Sequence, residues 1–214
     1  MIPPWLITKK WFTLDCLATG LDPTRDRIVF IAGCARVAGS TSVTTICSLV
    51  NPGIPIPPEA TAGHGISDEV VKRAPSFAQV LPTVLEISKG HVALAWNAKW
   101  SVGLVRAEMT RLGHPTSKAL AVDLSSWAWQ SEPPIASPWA WSFEATCKRW
   151  GVEIKREAHG MLADALACWP LWWAIVDRTQ KLMPREFEEM LKLQRHFQFR
   201  QAFETYADKF QQEN

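Results

Sequence analysis

A chain of 214 residues with 47% apolar side chains can bury one good core and a short appendage, and its formal net charge of +2 is too small to mark a nucleic-acid partner by bulk charge. Five cysteines (Cys16, Cys34, Cys47, Cys147 and Cys168) show neither CxxC spacing nor an even set, so they read as reduced thiols rather than a zinc site or a disulfide framework. No apolar run approaches the roughly 18 residues of a membrane span, and MIPPWLITKK lacks a signal-peptide core, so a soluble, cytoplasmic protein without a membrane partner is expected.

In chain order, the apolar stretch Phe12 to Leu14 reads as a strand that delivers a single acid, Asp15, before a turn at Gly20 and Pro23. IVFIAGCARV (Ile28 to Val37) and TSVTTICSLV (Thr41 to Val50) are β-branched and apolar, and Gly39 and Ser40 between them predict an antiparallel hairpin. NPGIPIPPEA reads as a proline-stiffened loop, and Ser67 before Asp68 and Glu69 predicts a capped short helix. A helix is expected over Phe77 to Ser88, a strand over Val92 to Ala95 and a turn from Asn97. Val102, Val105, Met109 and Leu112 then give the spacing of an amphipathic helix closed by Gly113, and ALAVDL reads as a fifth, buried strand. This alternation predicts an α/β layer fold around a mixed five-stranded sheet flanked by helices.

From Ser125 to Trp141 the prolines and paired tryptophans predict an aromatic loop or interrupted helix, followed by a short helix that ends at Gly151. EAHGMLADALACWPLWWAIVDR reads as one longer helix with an apolar stripe of Leu162, Ala165, Leu166, Trp169, Trp172, Trp173 and Val176. Asp164 lies off that stripe, and Pro170 predicts a kink or a shorter helix. The tail from Pro184 carries Phe187, Met190, Leu191, Phe197, Phe203, Tyr206 and Phe210, an apolar side too extensive to leave in water. Residues 184–210 therefore pack on the domain, on a second copy or on a protein partner. Twelve tryptophans are unusual for this length. Core packing is the ordinary role of each, and stacking on nucleic-acid bases is the functional alternative.

Four blocks, WFTLDCLATGLDP, LVNPGIPIPPEATAGHGISDEVV, ALAWNAKWS and AHGMLADAL, resemble in order and spacing the DEDDh 3′–5′ exonucleases, from Trp11 to about Asp177. The resemblance implies a ribonuclease-H-like fold in which four carboxylates hold two magnesium or manganese ions and a histidine serves as general base. It divides the chain into an N-terminal extension at 1–10, an exonuclease-like domain at 11–178 and a helical extension at 179–214. Asp15 and Asp164 match two ligand positions and His159 the general-base position. Leu17 stands where the family has glutamate, Ser101 where it has aspartate, and Ala18 in place of a common threonine. Asn97 is retained, whereas Trp96 and Trp100 replace a histidine and a phenylalanine. With Thr19 and Gly20, these three residues are the implied nucleic-acid contacts. His64 falls in a structural turn of the family pattern.

Two acids of four survive. Two hard cations about 3.5–4 Å apart need carboxylates both as ligands and as counter-charge, and leucine offers no lone pair. The resemblance therefore implies an inactive exonuclease fold that binds single-stranded DNA or RNA ends, or a protein partner, in a nucleic-acid-processing pathway. The alternatives are a residual nuclease using Asp15, Asp164 and His159 with magnesium or manganese, and a purely protein-binding regulator or homodimer built on the C-terminal helix. Without residual activity no cofactor is implied. Cys16, Asp22, Asp123 and Glu157 are candidate substitute ligands. Lys99, Arg106, Arg111, Lys148, Arg149, Lys155 and Arg156 line a phosphate track or are solvated helix faces, the second being the ordinary reading.

Overall fold

The computed structural model describes residues 2–37, 42–116, 120–132 and 141–198. Five strands, β1 (Lys10–Ala18), β2 (Ile28–Val37), β3 (Val43–Leu49), β4 (Val92–Ala95) and β5 (Ala121–Asp123), form one sheet in the order β3-β2-β1-β4-β5. β1, β2 and β3 pair antiparallel, while β1–β4 and β4–β5 are parallel, which is the expected mixed sheet. The Gly39–Ser40 turn of the predicted hairpin lies outside the described residues.

The period of two along β1 sorts its side chains between two cores. Phe12, Leu14, Cys16 and Ala18 face helices α4 (Phe77–Ser88) and α5 (Ala98–Arg111), where they pack with Val80, Leu81, Val84, Val102 and Leu104. Trp11 belongs to the opposite core, with α6 (Leu124–Ser131) and α9 (Ala163–Thr179). Asp15 and Leu17 share the parity of Trp11, so they too lie on the α9 side. The expectation that Asp15 ends its strand needs correction. β1 continues to Ala18 because its pairing with β2 persists, with Asp15 opposite Ala32 and Leu17 opposite Phe30. On the other side the ladder with β4 covers Trp11 to Thr13. Asp15 is thus held by one neighbour strand while the sheet opens beside it.

Three further expectations change. Pro58 opens α2 (Pro58–His64), so part of the proline loop is helical; proline is favoured there because the first helical N–H has no partner in any case. Ser67 precedes α3 (Asp68–Val71) without a side-chain cap, and the Asp68 carboxylate instead accepts the Ile56 N–H at 3.0 Å. The long predicted helix breaks at Gly160, whose φ of 52° and ψ of −131° suit a residue without Cβ. The break separates α8 (Arg156–His159) from a 3₁₀ turn, Gly160–Leu162, that leads into α9. Past the break, α9 runs through Pro170 to Thr179, no shorter than the stripe implied. Its buried face is centred on Ala165, Cys168, Leu171, Trp172 and Ile175, with Trp169 and Trp173 only half-buried. The aromatic stretch after β5 begins as α6, and α7 (Phe143–Arg149) follows as read; residues 133–140 lie outside the described set.

The described tail packs on its own domain. Phe187, Met190 and Phe197, on a helix over 187–198 (α10), are buried in the α9-side core, and Trp5 and Leu6 of α1 (Pro4–Thr8) join them. Trp5 sits 5.3 Å from Phe187 and 6.3 Å from Trp11, ring centre to ring centre. Gln194 is 6% exposed and satisfies three polar groups at the sheet edge: it accepts the Asp123 N–H and the Trp127 indole N–H, and it donates to the Ala121 carbonyl. Phe203, Tyr206 and Phe210 lie outside the described residues. Every described tryptophan is buried or half-buried, so core packing accounts for most of the set. No helix of the described residues is long and apolar enough to cross a membrane.

Candidate functional site

Where β1 outruns β4, a cleft of about 340 Å³ opens between the sheet, α5 and α9. Its lining brings together Asp15, Leu17, Trp96, Asn97, Trp100, Ser101 and Asp164, the residues the four blocks single out. Each is positioned by its element. β1 presents Asp15 and Leu17 two residues apart on one face, the first turn of α9 presents Asp164, and α5 presents Trp100 and Ser101 one turn above Asn97. Ala165, next to Asp164, is fully buried against Val29, Phe30 and Ala32 of β2. That packing anchors the start of α9 over the sheet.

Asn97 adopts φ 53° and ψ 57° at the start of α5, the one positive φ outside glycine among the described residues. Asparagine tolerates this region better than other L residues, and strained backbone is concentrated at ligand sites. The cleft walls are strongly apolar. Leu17, the exposed Leu21, Trp96, Trp100 and Phe143 all line it, and Trp96 packs on Phe143 with ring centres 5.6 Å apart. Trp100 has its indole N–H buried with no acceptor among the described residues.

Burial in these walls pushes the Asp15 carboxyl up to about 7; the neighbouring Asp164 carboxylate adds to the rise, and a backbone hydrogen bond at Cys16 and the Arg156 guanidinium oppose it. Cys16 and Cys168 also line the cleft, and burial drives both thiols well above their ordinary range. They are therefore poor thiolate ligands. Asp22 is bonded to Thr24, Asp123 caps the start of α6 and Glu157 is exposed, so of the four candidate substitute ligands only Cys16 lines the cleft.

Other predicted residues lie elsewhere. His159 is exposed at the end of α8 and does not line the cleft, although Gly160 and Met161 border its continuation beside Asp15 and Leu17. Thr19 is buried, and its hydroxyl donates to Asp26 at 2.9 Å. A Cβ on Gly20 would stand 2.5 Å from the same Asp26 carboxylate. Both therefore shape the β1–β2 connection and sit outside the lining. His64 accepts the Ile66 N–H at Nδ1 and so donates from Nε2 to the Ala18 carbonyl at 3.2 Å, a structural brace. Among the described residues, no three His, Cys, Asp or Glu side chains converge as a metal site.

Arg156, read from the sequence as a phosphate-track or solvated-face residue, has a pairing that the spacing did not show. Arg156 Nη2 donates to both Asp164 oxygens, at 2.9 and 3.3 Å, while Nη1 pairs with Glu144 at 3.3 Å. The fold-back at Gly160 creates the pairing, and a continuous helix would not have placed these residues together. Arg111 and Arg149 are likewise engaged: Arg111 pairs with the buried Glu108, and Arg149 with Glu132.

The family model described as Exonuclease (RNase_T) matches residues 12–171. The chain belongs to this exonuclease family. It has the ribonuclease-H-like fold of the DEDDh group, whose members use divalent magnesium or manganese. It is 34% identical over 160 residues to a DNA polymerase III subunit epsilon-like protein of Rhodobacter capsulatus, a match over 72% of this chain and 22% of that one. It is also 36% identical over 104 residues to the PolC-type DNA polymerase III of Caldanaerobacter subterraneus subsp. tengcongensis, covering 49% of this chain and 7% of that one. The chain thus spans less than a quarter of the length of either relative. Among solved structures, Escherichia coli exonuclease I in complex with a dT13 oligonucleotide superposes with a TM-score of 0.67 at 17% identity, covering 81% of this chain and 42% of that one.

Proposed function

We propose that this domain is an exonuclease-family fold that holds a single-stranded nucleic-acid end without cutting it. The observation that carries the reading is the composition of the cleft: two carboxylates, Asp15 and Asp164, among Leu17, Leu21, Trp96, Trp100, Phe143 and Ser101. Two carboxylates do not fit a pair of divalent ions. Up to four positive charges would face two negative ones, and the ligands to bridge and cap both ions are missing. Disturbing even the partner of a metal ligand costs about 10–100-fold in affinity or activity, so losing two ligands costs more.

What remains suits stacking. Aromatic side chains hold unstacked bases at about 1–3 kcal/mol each with little sequence preference. Trp96, Phe143 and Leu21 line the cleft and are the surfaces on which a terminal base would pack. The dT13 oligonucleotide carried by the structural neighbour supports a single strand as the ligand class. The test is fluorescence polarisation of labelled dT and rU oligonucleotides, in EDTA, across a salt series. The reading expects binding that weakens as salt rises, because phosphates release counterions when cations neutralise them. No binding of either strand at low salt contradicts it.

A further inference from the structure

The proposed reading leaves a question of charge, because two acids face one another in an apolar cleft. Arg156 supplies the answer. Its guanidinium reaches both oxygens of Asp164, at 2.9 and 3.3 Å, and its other terminal nitrogen pairs with Glu144 at 3.3 Å. Arg156, Asp15, Leu17 and Asp164 line one continuous depression, so the cation sits at the rim of the carboxylate pair rather than on a remote helix face. The arrangement is built into the backbone. Gly160 turns the chain back between α8 and α9, which brings residue 156 against a carboxylate eight positions later. Leu17 leaves no third acid on the sheet side to compensate a divalent ion.

We propose that Arg156 is the internal counter-cation of this cleft and keeps divalent metal out of it. One guanidinium nitrogen, shared between both Asp164 oxygens, occupies the positions that a metal would ligate, while the other holds Glu144. An entering Mn²⁺ must displace this nitrogen and then share the site with the guanidinium's positive charge. The inference rests on the reading that Asp15 and Asp164 stand at family metal positions, and it goes further by naming the group that has taken over the metal's charge.

The test is manganese binding to the full chain, followed by loss of the free Mn²⁺ electron paramagnetic resonance signal. Wild type, R156Q, R156M, R156K and the R156Q/D164N double variant are compared, with native thermal unfolding checked for each. R156Q and R156M should bind Mn²⁺ at least about tenfold more tightly than wild type, the scale on which a metal ligand's partner alters affinity. R156K, which keeps the charge, should stay near wild type, and the double variant should lose the gain. The proposal is overturned if wild type binds as tightly as R156Q, if the folded neutral variants show no gain, if R156K gains as much as R156Q, or if the gain survives removal of the Asp164 charge. Oligonucleotide binding is not the readout, so failure of the strand-binding reading and failure of this one are separable.

Discussion

Replacing Asp15 with asparagine tests the electrostatics of the cleft. Burial first, and the Asp164 carboxylate second, push the Asp15 carboxyl from an ordinary 3.8 up to about 7. At about 1.4 kcal/mol per unit, that amounts to no more than about 4 kcal/mol, and solvent reaching the half-buried carboxyl reduces it to about 1–3 kcal/mol. The sign follows from proton uptake. Between pH 4 and 7 the folded chain keeps a proton that the unfolded chain releases, so the Asp15 contribution is fully present below about pH 4 and is lost as pH rises through 7. Above that pH the fold carries an ionised acid in apolar surroundings. Asp15→Asn removes this cost while keeping the shape. Urea unfolding of wild type and variant at several pH values between 4.5 and 8.5, in EDTA, gives the difference free of the other carboxylates. The variant should be more stable by about 1–3 kcal/mol at pH 8, with the gap closing toward pH 4.5. A variant that is less stable at pH 8, or a gap that does not change with pH, refutes the argument.

Other outcomes follow from the packing. Leu17→Glu and Ser101→Asp combined with Arg156→Gln restore the two missing acids and remove the competing cation, and should confer Mn²⁺-dependent cleavage of an end-labelled strand that Asp15→Asn abolishes; Ser101 is 1% exposed, so the triple variant should lose about 1–3 kcal/mol in a denaturant titration. Gln194→Ala strips partners from the Asp123 N–H, the Ala121 carbonyl and the Trp127 indole, and should cost about 2–4 kcal/mol by the same method. Glu108→Ala leaves Arg27, 2.8 Å from that carboxylate, without its partner and should cost about 3 kcal/mol, with Glu108→Gln intermediate.

Much of this fold was legible because local signals agreed with the tertiary arrangement. The β-branched runs of β2 and β3 appear where composition places them, and α4 and β4 carry the bounds read from the pattern. α4 also begins with a reciprocal cap between Ser76 and Gln79, so its start is fixed locally. The misreadings arise where a local cue admits a second outcome. Three prolines around Pro57 look like a loop, yet Pro58 is a permitted first residue of α2. The stretch from Glu157 to Arg178 reads as one helix, and only Gly160 marks the fold-back that delivers Arg156, just ahead of it, to Asp164. Asp15 reads as a strand end because the apolar run stops at Leu14 and a Gly20 and Pro23 turn follows, but β2 keeps it in the ladder opposite Ala32. The block pattern brought Asp15, Leu17, Asn97, Ser101 and Asp164 to one cleft. His159, Thr19 and Gly20 share the pattern without sharing the lining, because motif spacing records neighbours in sequence and not the direction in which a side chain is presented.

We propose a nuclease fold that has kept its cleft and lost its two-metal chemistry. Incubation of end-labelled single-stranded DNA and RNA with wild type and Asp15→Ala, in magnesium and then in manganese, decides the matter. Neither strand should shorten faster with wild type than with the variant. Stepwise shortening by wild type that vanishes in Asp15→Ala would show that the chemistry survives.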